Sequence, residues 1–279
     1  MRWQGGRQGG DIEDRRGMGP VAVGGGIGGV ALLVIAYLLF GEDGARTVMQ
    51  MQGQGQSVAE QQGQRGSPSD EQGQFADVVT TSVNDIWAEE FRRHGQTYER
   101  PTTVLYSGGT TTGCGIGQSA MGPFYCPNDH KVYLDLSFFQ ELSDRFGAPG
   151  DFARAYVIAH EIGHHVQNLE GRSEQVQRAQ QAAGSEREAN QWSVRLELQA
   201  DCYAGVWANR YGSSGRLDPG DIQAAITAAA AVGDDTLQRQ TRGRVAPDSF
   251  THGSAEQRTR WFRVGYDSGD PAACNTFGG

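Results

Sequence analysis

The chain has 279 residues, with 24 Lys and Arg against 33 Asp and Glu, a formal charge of −9. That length can bury a sizeable core without staples and suits one catalytic-sized domain with additions. The acidic balance speaks against a nucleic-acid binder, which needs a basic face for phosphates. The 41 Gly keep no three-residue period, which excludes a collagen-like chain.

No charge occurs between Arg16 and Glu42, and the second half of this stretch is strongly apolar. Residues 20–40 are about as long as a helix that crosses the hydrocarbon layer. No small-residue cleavage site follows Phe40, so a retained span is expected rather than a cleaved signal. Arg2, Arg7, Arg15 and Arg16 precede the run and only Arg46 follows closely. The excess of positive charge in front predicts a cytoplasmic segment 1–19 and an extracytoplasmic remainder, a single-pass arrangement in the cell membrane. The pairs Gly24/Gly28 and Gly25/Gly29 offer a small-residue face for self-association in the membrane. Residues 41–74 are rich in Gly, Gln and Ser with no period, which predicts a disordered linker.

Residues 75–279 read as the globular domain. Phe75, Val79, Val83, Trp87 and Phe91 recur at helical steps, and Thr102 to Tyr106 reads as a strand. Residues 108–122 read as a loop, 124–129 as a turn, and Lys131 to Leu136 as a second strand. Four helices follow. They run from Asp151 to Asn168, from Glu186 to Tyr211, from the Asp218-Pro219 cap to Ala231, and from the Ser254-x-x-Gln257 capping box to Tyr266. The fold class this predicts is α+β, helix-dominated, with a small sheet near the front of the domain.

The first of these helices contains His160-Glu161-Ile162-Gly163-His164. Histidines at i and i+4 share a face, so two imidazole nitrogens can converge on one metal. Glu161 is then placed to take a proton from the attacking water. A catalytic zinc wants three protein ligands and an open fourth place. Glu197 on the next helix is the best third ligand. Asp201, one turn on, can hold the far N–H of a ligand histidine. His165 points about 100° away and reads as packing; His94 and His130 read as surface or structural.

H-E-x-x-H followed by E-x-x-x-D resembles the gluzincin metallopeptidases. The stretches 119–127, 132–136, 145–147, 155–167 and 197–202 resemble more closely the bacterial neutral zinc metallopeptidase family, a set of membrane-tethered proteins. The resemblance covers about Phe75 to Phe277. It implies a zincin-like domain, one Zn²⁺ per chain, and a protein or peptide substrate. Integral-membrane gluzincins carry a Thr-His-Pro-Ser…Arg segment similar to Thr251-His-Gly-Ser-Ala-Glu-Gln-Arg258. By that resemblance His252 approaches the zinc and stabilises the oxyanion, or occupies the fourth position at rest. Arg258 reads as a structural ion pair near the site.

Cys114, Cys126, Cys202 and Cys274 lack metal-site spacing and suit two disulfides outside the cytoplasm. Four cysteines allow three connectivities. The pairing 114–126 with 202–274 is preferred because each bridge would hold a weakly packed segment. The leading expectation is a membrane-anchored zinc peptidase that cleaves with a zinc-activated water and Glu161 as general base. The rivals are a zinc-stabilised scaffold that cleaves nothing and a hydrolase of non-peptide amides.

Overall fold

The computed structural model describes residues 1–18 and 61–278. In chain order its elements are β1 (Ile12–Asp14), β2 (Gln64–Arg65), α1 (Glu71–Arg93), β3 (Thr102–Tyr106), β4 (Gly109–Thr112), β5 (Gly115–Gln118), β6 (Phe124–Cys126) and β7 (Lys131–Asp135). Then follow α2 (Ser137–Asp144), α3 (Asp151–Leu169), α4 (Arg172–Ala182), α5 (Glu186–Ser213), α6 (Asp221–Ala231), α7 (Asp234–Arg242) and α8 (Ala255–Ser268). The α+β, helix-dominated class is as expected. A five-stranded mixed sheet runs β2-β1-β3-β7-β6, and β4 and β5 form a separate hairpin.

The front of the molecule differs from the sequence expectation. β1 lies inside the sheet, parallel to β3 through Ile12↔Thr103 and antiparallel to β2 through Asp14↔Gln64. Residues 1–18 are therefore part of the domain, not a separate segment. Trp3 is buried edge-on against Phe75, and its Nε1 donates to Asp151 Oδ2 over 2.9 Å. Order also begins before Phe75. Asp70 caps α1 by accepting from the Gly73 N–H at 3.0 Å, and β2 precedes it. The expected linker 41–74 is thus corrected over 61–74. The expected span 20–40, its small-residue faces and the linker over 41–60 lie outside the described residues. Among the described residues no helix is long and apolar enough to cross a membrane.

The apolar stripe of α1 is buried as the period predicts, with Phe75, Val79, Val83 and Trp87 all in the core. The core continues through Leu105, Val132 and Leu134 of the sheet into Phe152, Tyr156 and Ile158 of α3 and Trp207 of α5. α3 is the central helix, packed against α1, α5 and α6. The cysteines pair 114–126 and 202–274. The first bridge ties the β4–β5 turn to β6. The second ties α5 to the C-terminal tail immediately after Asp201.

α5 and α8 cross with their backbones in contact. A Cβ at Gly205 would fall 2.1 Å from the Phe262 carbonyl oxygen, and one at Gly265 would fall 1.9 Å from that of Cys202. Only hydrogen fits at this crossing. Gly265→Ala must push the helices apart, and we expect it to cost about 3 kcal/mol, the upper range for overpacking. An unchanged urea midpoint in that variant would contradict the close crossing.

Candidate metal centre

α3 presents Tyr156, His160 and His164 at one-turn steps along one face. α5 approaches this helix closely at Gly163, where a Cβ would sit 3.2 Å from the Ala200 carbonyl oxygen and 3.3 Å from its Cα. The missing side chain lets α5 bring Glu197 and Asp201 against the histidine face. His160 Nε2 lies 3.2 Å from Glu197 Oε2 and 3.2 Å from His164 Nε2. His164 Nε2 lies 3.4 Å from Glu197 Oε1. One ligand atom from each of the three falls within 4.8 Å of the other two. The three ligands expected from sequence are therefore brought together.

The outer hydrogen bonds decide what this cluster can hold. His160 Nδ1 is 2.9 Å from Asp201 Oδ1, and His164 Nδ1 is 2.9 Å from Gln167 Oε1. The Gln167 amide nitrogen donates to the Leu196 carbonyl at 2.7 Å and to Gln199 Oε1 at 3.1 Å, which turns its oxygen toward His164. A carboxylate and an amide oxygen only accept, so both Nδ1 atoms carry hydrogen. With both rings neutral, two Nε2 lone pairs and the Glu197 oxygens face one another with no donor among them. Such a set takes up a cation, whether a proton on His160 or a metal ion. Two imidazoles and a carboxylate with one side open are a donor set that fits zinc.

Asp201 is fully buried and held from its far side by Arg258 of α8. Arg258 Nε donates to Oδ2 at 2.9 Å and Nη2 to Oδ1 at 3.0 Å, a bidentate pair. The Tyr156 hydroxyl donates to the same Oδ1. Burial alone would raise the Asp201 pKa, but Arg258 and His160 outweigh it and hold the carboxyl below its ordinary range. Glu197 behaves alike. Burial raises it, and the His164, His252 and His160 rings bring it well below. Burial lowers His160, yet Asp201 and Glu197 push it up to about 10. Arg258 opposes that rise.

Zinc must displace this proton. Zinc affinity is therefore expected to climb about tenfold per pH unit between roughly pH 7 and 9, because ligands bind metal only when deprotonated. A flat affinity by chelator competition across that range would contradict the proton at His160. Gln167→Ala removes the acceptor that orients His164. We expect it to weaken zinc about 10–100-fold by the same titration, as for other outer partners of metal ligands.

The chain matches a family model described as "Putative neutral zinc metallopeptidase" over residues 1–277. It belongs to that family. Its relatives include "Uncharacterized protein YpfJ" of Escherichia coli (strain K12), 50% identical over 286 residues that cover 100% of this chain and 99% of the relative. Another is "Uncharacterized protein Rv2575" of Mycobacterium tuberculosis (strain ATCC 25618 / H37Rv), 53% identical over 193 residues, 64% of this chain and 63% of that one. No solved structure matches the chain. The family match reaches into residues 1–18, which the sequence resemblance left out, in keeping with their place in the sheet.

The remaining sequence candidates fall as follows. Glu161 is buried on α3 beside His160. His252 is not one of the three converging ligands. Its loop wraps the start of α7, where Asp234 Oδ2 accepts from the backbone N–H groups of Thr251, His252 and Gly253 at 2.8, 2.7 and 2.9 Å. The half-exposed ring has Nδ1 3.4 Å from Asp234 Oδ1. Desolvation lowers its pKa, while Glu197 and Asp234 raise it by more. His165 is fully buried, with Nε2 donating to the Glu99 carbonyl at 2.6 Å and Nδ1 3.1 Å from the Tyr125 hydroxyl. It packs, as its angle on the helix predicts. Tyr156 and Gln167 went unread as parts of the site. The signal was their spacing, four before His160 and three after His164 on one helix face.

Proposed function

We propose that this chain is a zinc-dependent peptidase, held at a membrane by the apolar run 20–40 and working outside the cytoplasm. The observation that carries the reading is the convergence of His160, His164 and Glu197, three metal-ligating groups, with Glu161 next to His160 in the same buried helix. Two disulfides with no free cysteine among the described residues favour an oxidising compartment.

Zinc, when bound, supplies an electrophile for the scissile carbonyl and makes water more acidic. The protein's own groups do the rest. Glu161 accepts a proton from the attacking water as the water oxygen bonds to the carbonyl carbon. It returns that proton to the amide nitrogen as the C–N bond breaks. His252, carried on its Asp234-anchored loop and biased toward the imidazolium by Glu197, donates to the developing oxyanion. Tyr156, Asp201 and Arg258 keep His160 in one tautomer and one orientation.

The test is metal analysis of the full-length protein purified in detergent, followed by incubation with a library of unstructured peptides read by mass spectrometry. One zinc per chain and chelator-sensitive cleavage are expected. Zinc without cleavage of any library member would favour the scaffold reading, and no zinc in the oxidised, folded protein would overturn both.

A further inference from the structure

The four arginines that suggest a cytoplasmic N-terminus all have partners in the domain. Arg2 Nε lies 3.3 Å from Asp218, and Arg7 pairs with Asp85. Arg16 pairs with Asp14 and with Asp70, the cap of α1, at 2.6 Å each. Arg15 is only 2% exposed; its Nε donates to Glu13 Oε1 at 2.7 Å and its Nη1 to the Thr111 carbonyl at 2.8 Å. Glu13 Oε2 in turn accepts from Lys131 Nζ at 3.1 Å. A buried guanidinium and carboxylate whose partners lie on β7 and on the β4–β5 hairpin belong to the fold. A charge signal for the cytoplasmic side would sit free in water.

The chain leaves this sheet after β1 and returns to it at β2. Asp14 stands opposite Gln64, and the Gly63 N–H donates to Glu13 Oε1 at 3.0 Å. Departure and return are neighbours on one end of one sheet. A single crossing by residues 20–40 would deliver residues 41–60 to the far face of the membrane. β2 could then not pair with β1, nor could β3. A second crossing by 41–60 has no apolar run to make it. That stretch holds Glu42, Asp43, Arg46 and Glu60 among Gly and Gln, and charges and open backbone groups are not accommodated in lipid.

We infer that residues 1–18 and the metal-site domain lie on the same face of the membrane. The inference replaces the expected cytoplasmic N-terminus, and it stands or falls independently of the zinc chemistry. It rests on strand pairing and on buried ion pairs, neither of which involves the site.

The test uses the full-length protein in cells with an intact cytoplasmic membrane. All four native cysteines are in disulfides, so single cysteines can be introduced at the exposed positions Gln8, in the N-terminal segment, and Gln177, on α4. Gln4→Cys serves as a second N-terminal site should Gln8→Cys reduce the yield of folded protein. Each is treated with a membrane-impermeant maleimide before and after lysis. Gln8→Cys and Gln177→Cys are expected to label together, both before lysis if the domain is extracytoplasmic and both only afterwards if it is not. Labelling of one before lysis and the other only afterwards would overturn the inference.

Discussion

Glu197→Ala is expected to strip the protein of zinc while leaving it folded. Glu197 is the one anionic member of the three-ligand set, and its oxygens lie 3.2 Å and 3.4 Å from the two histidine Nε2 atoms. Losing one ligand of three should weaken binding on the order of 10³-fold, a fraction of the 10–16 kcal/mol typical of complete structural sites. The fold should survive because α5 is held elsewhere. Asp201 keeps its Arg258 pair, Gly205 keeps its crossing with α8, and Cys202 keeps its bridge to Cys274. Chelator competition gives the affinity, and circular dichroism checks the helices. Zinc bound as tightly as in the wild type would mean that Glu197 is not a ligand. His252, which already feels the Glu197 charge, would then be the first alternative to examine.

What the sequence revealed of the site, and what it hid, follows from where each residue's partners lie. H-E-x-x-H and E-x-x-x-D are local patterns: one helical face each, readable from a four-residue step. Their meeting depends on two helices approaching at Gly163, and a glycine inside a helix signals such an approach only once the partner helix is known. The strand Thr102–Tyr106 and the helices α3 and α5 were legible within a few residues because each has an apolar face to bury. α4 and α7 were not. Val176 is the single buried hydrophobic residue of α4, and Asp234 is the buried residue of α7, so neither shows an apolar period. β1 was hidden for a different reason. Its three residues, Ile-Glu-Asp, include two acids, and its neighbours in the sheet come 50 or more residues later. Glu13 and Arg15 read as solvated charges until the sheet places Thr110, Lys131 and Gly63 around them. The arginines that predict a cytoplasmic N-terminus are of the same kind, since the sequence does not display their pairing with Asp218, Asp85, Glu13 and Asp70.

Glu161→Gln should separate binding from catalysis. The amide has nearly the shape of the carboxylate, so α3 keeps its packing and His160, His164 and Glu197 keep their positions. Zinc content is expected to stay at one per chain. The amide nitrogen is no proton acceptor at neutral pH, and the amide has no proton to return to a leaving amine. Loss of a placed general base typically costs 10²–10⁴-fold, so turnover of any cleaved library peptide should fall about that far. Substrate affinity, read as KM, should change little, since the role assigned to Glu161 is a proton transfer in the chemical step. The zinc and rate measurements must be made on the same preparation. If the variant loses zinc and turnover together, Glu161 acts on the metal set itself and the general-base role fails. If turnover persists with zinc in place, the proton acceptor is another group, and His252 on its Asp234-anchored loop is the residue to replace next.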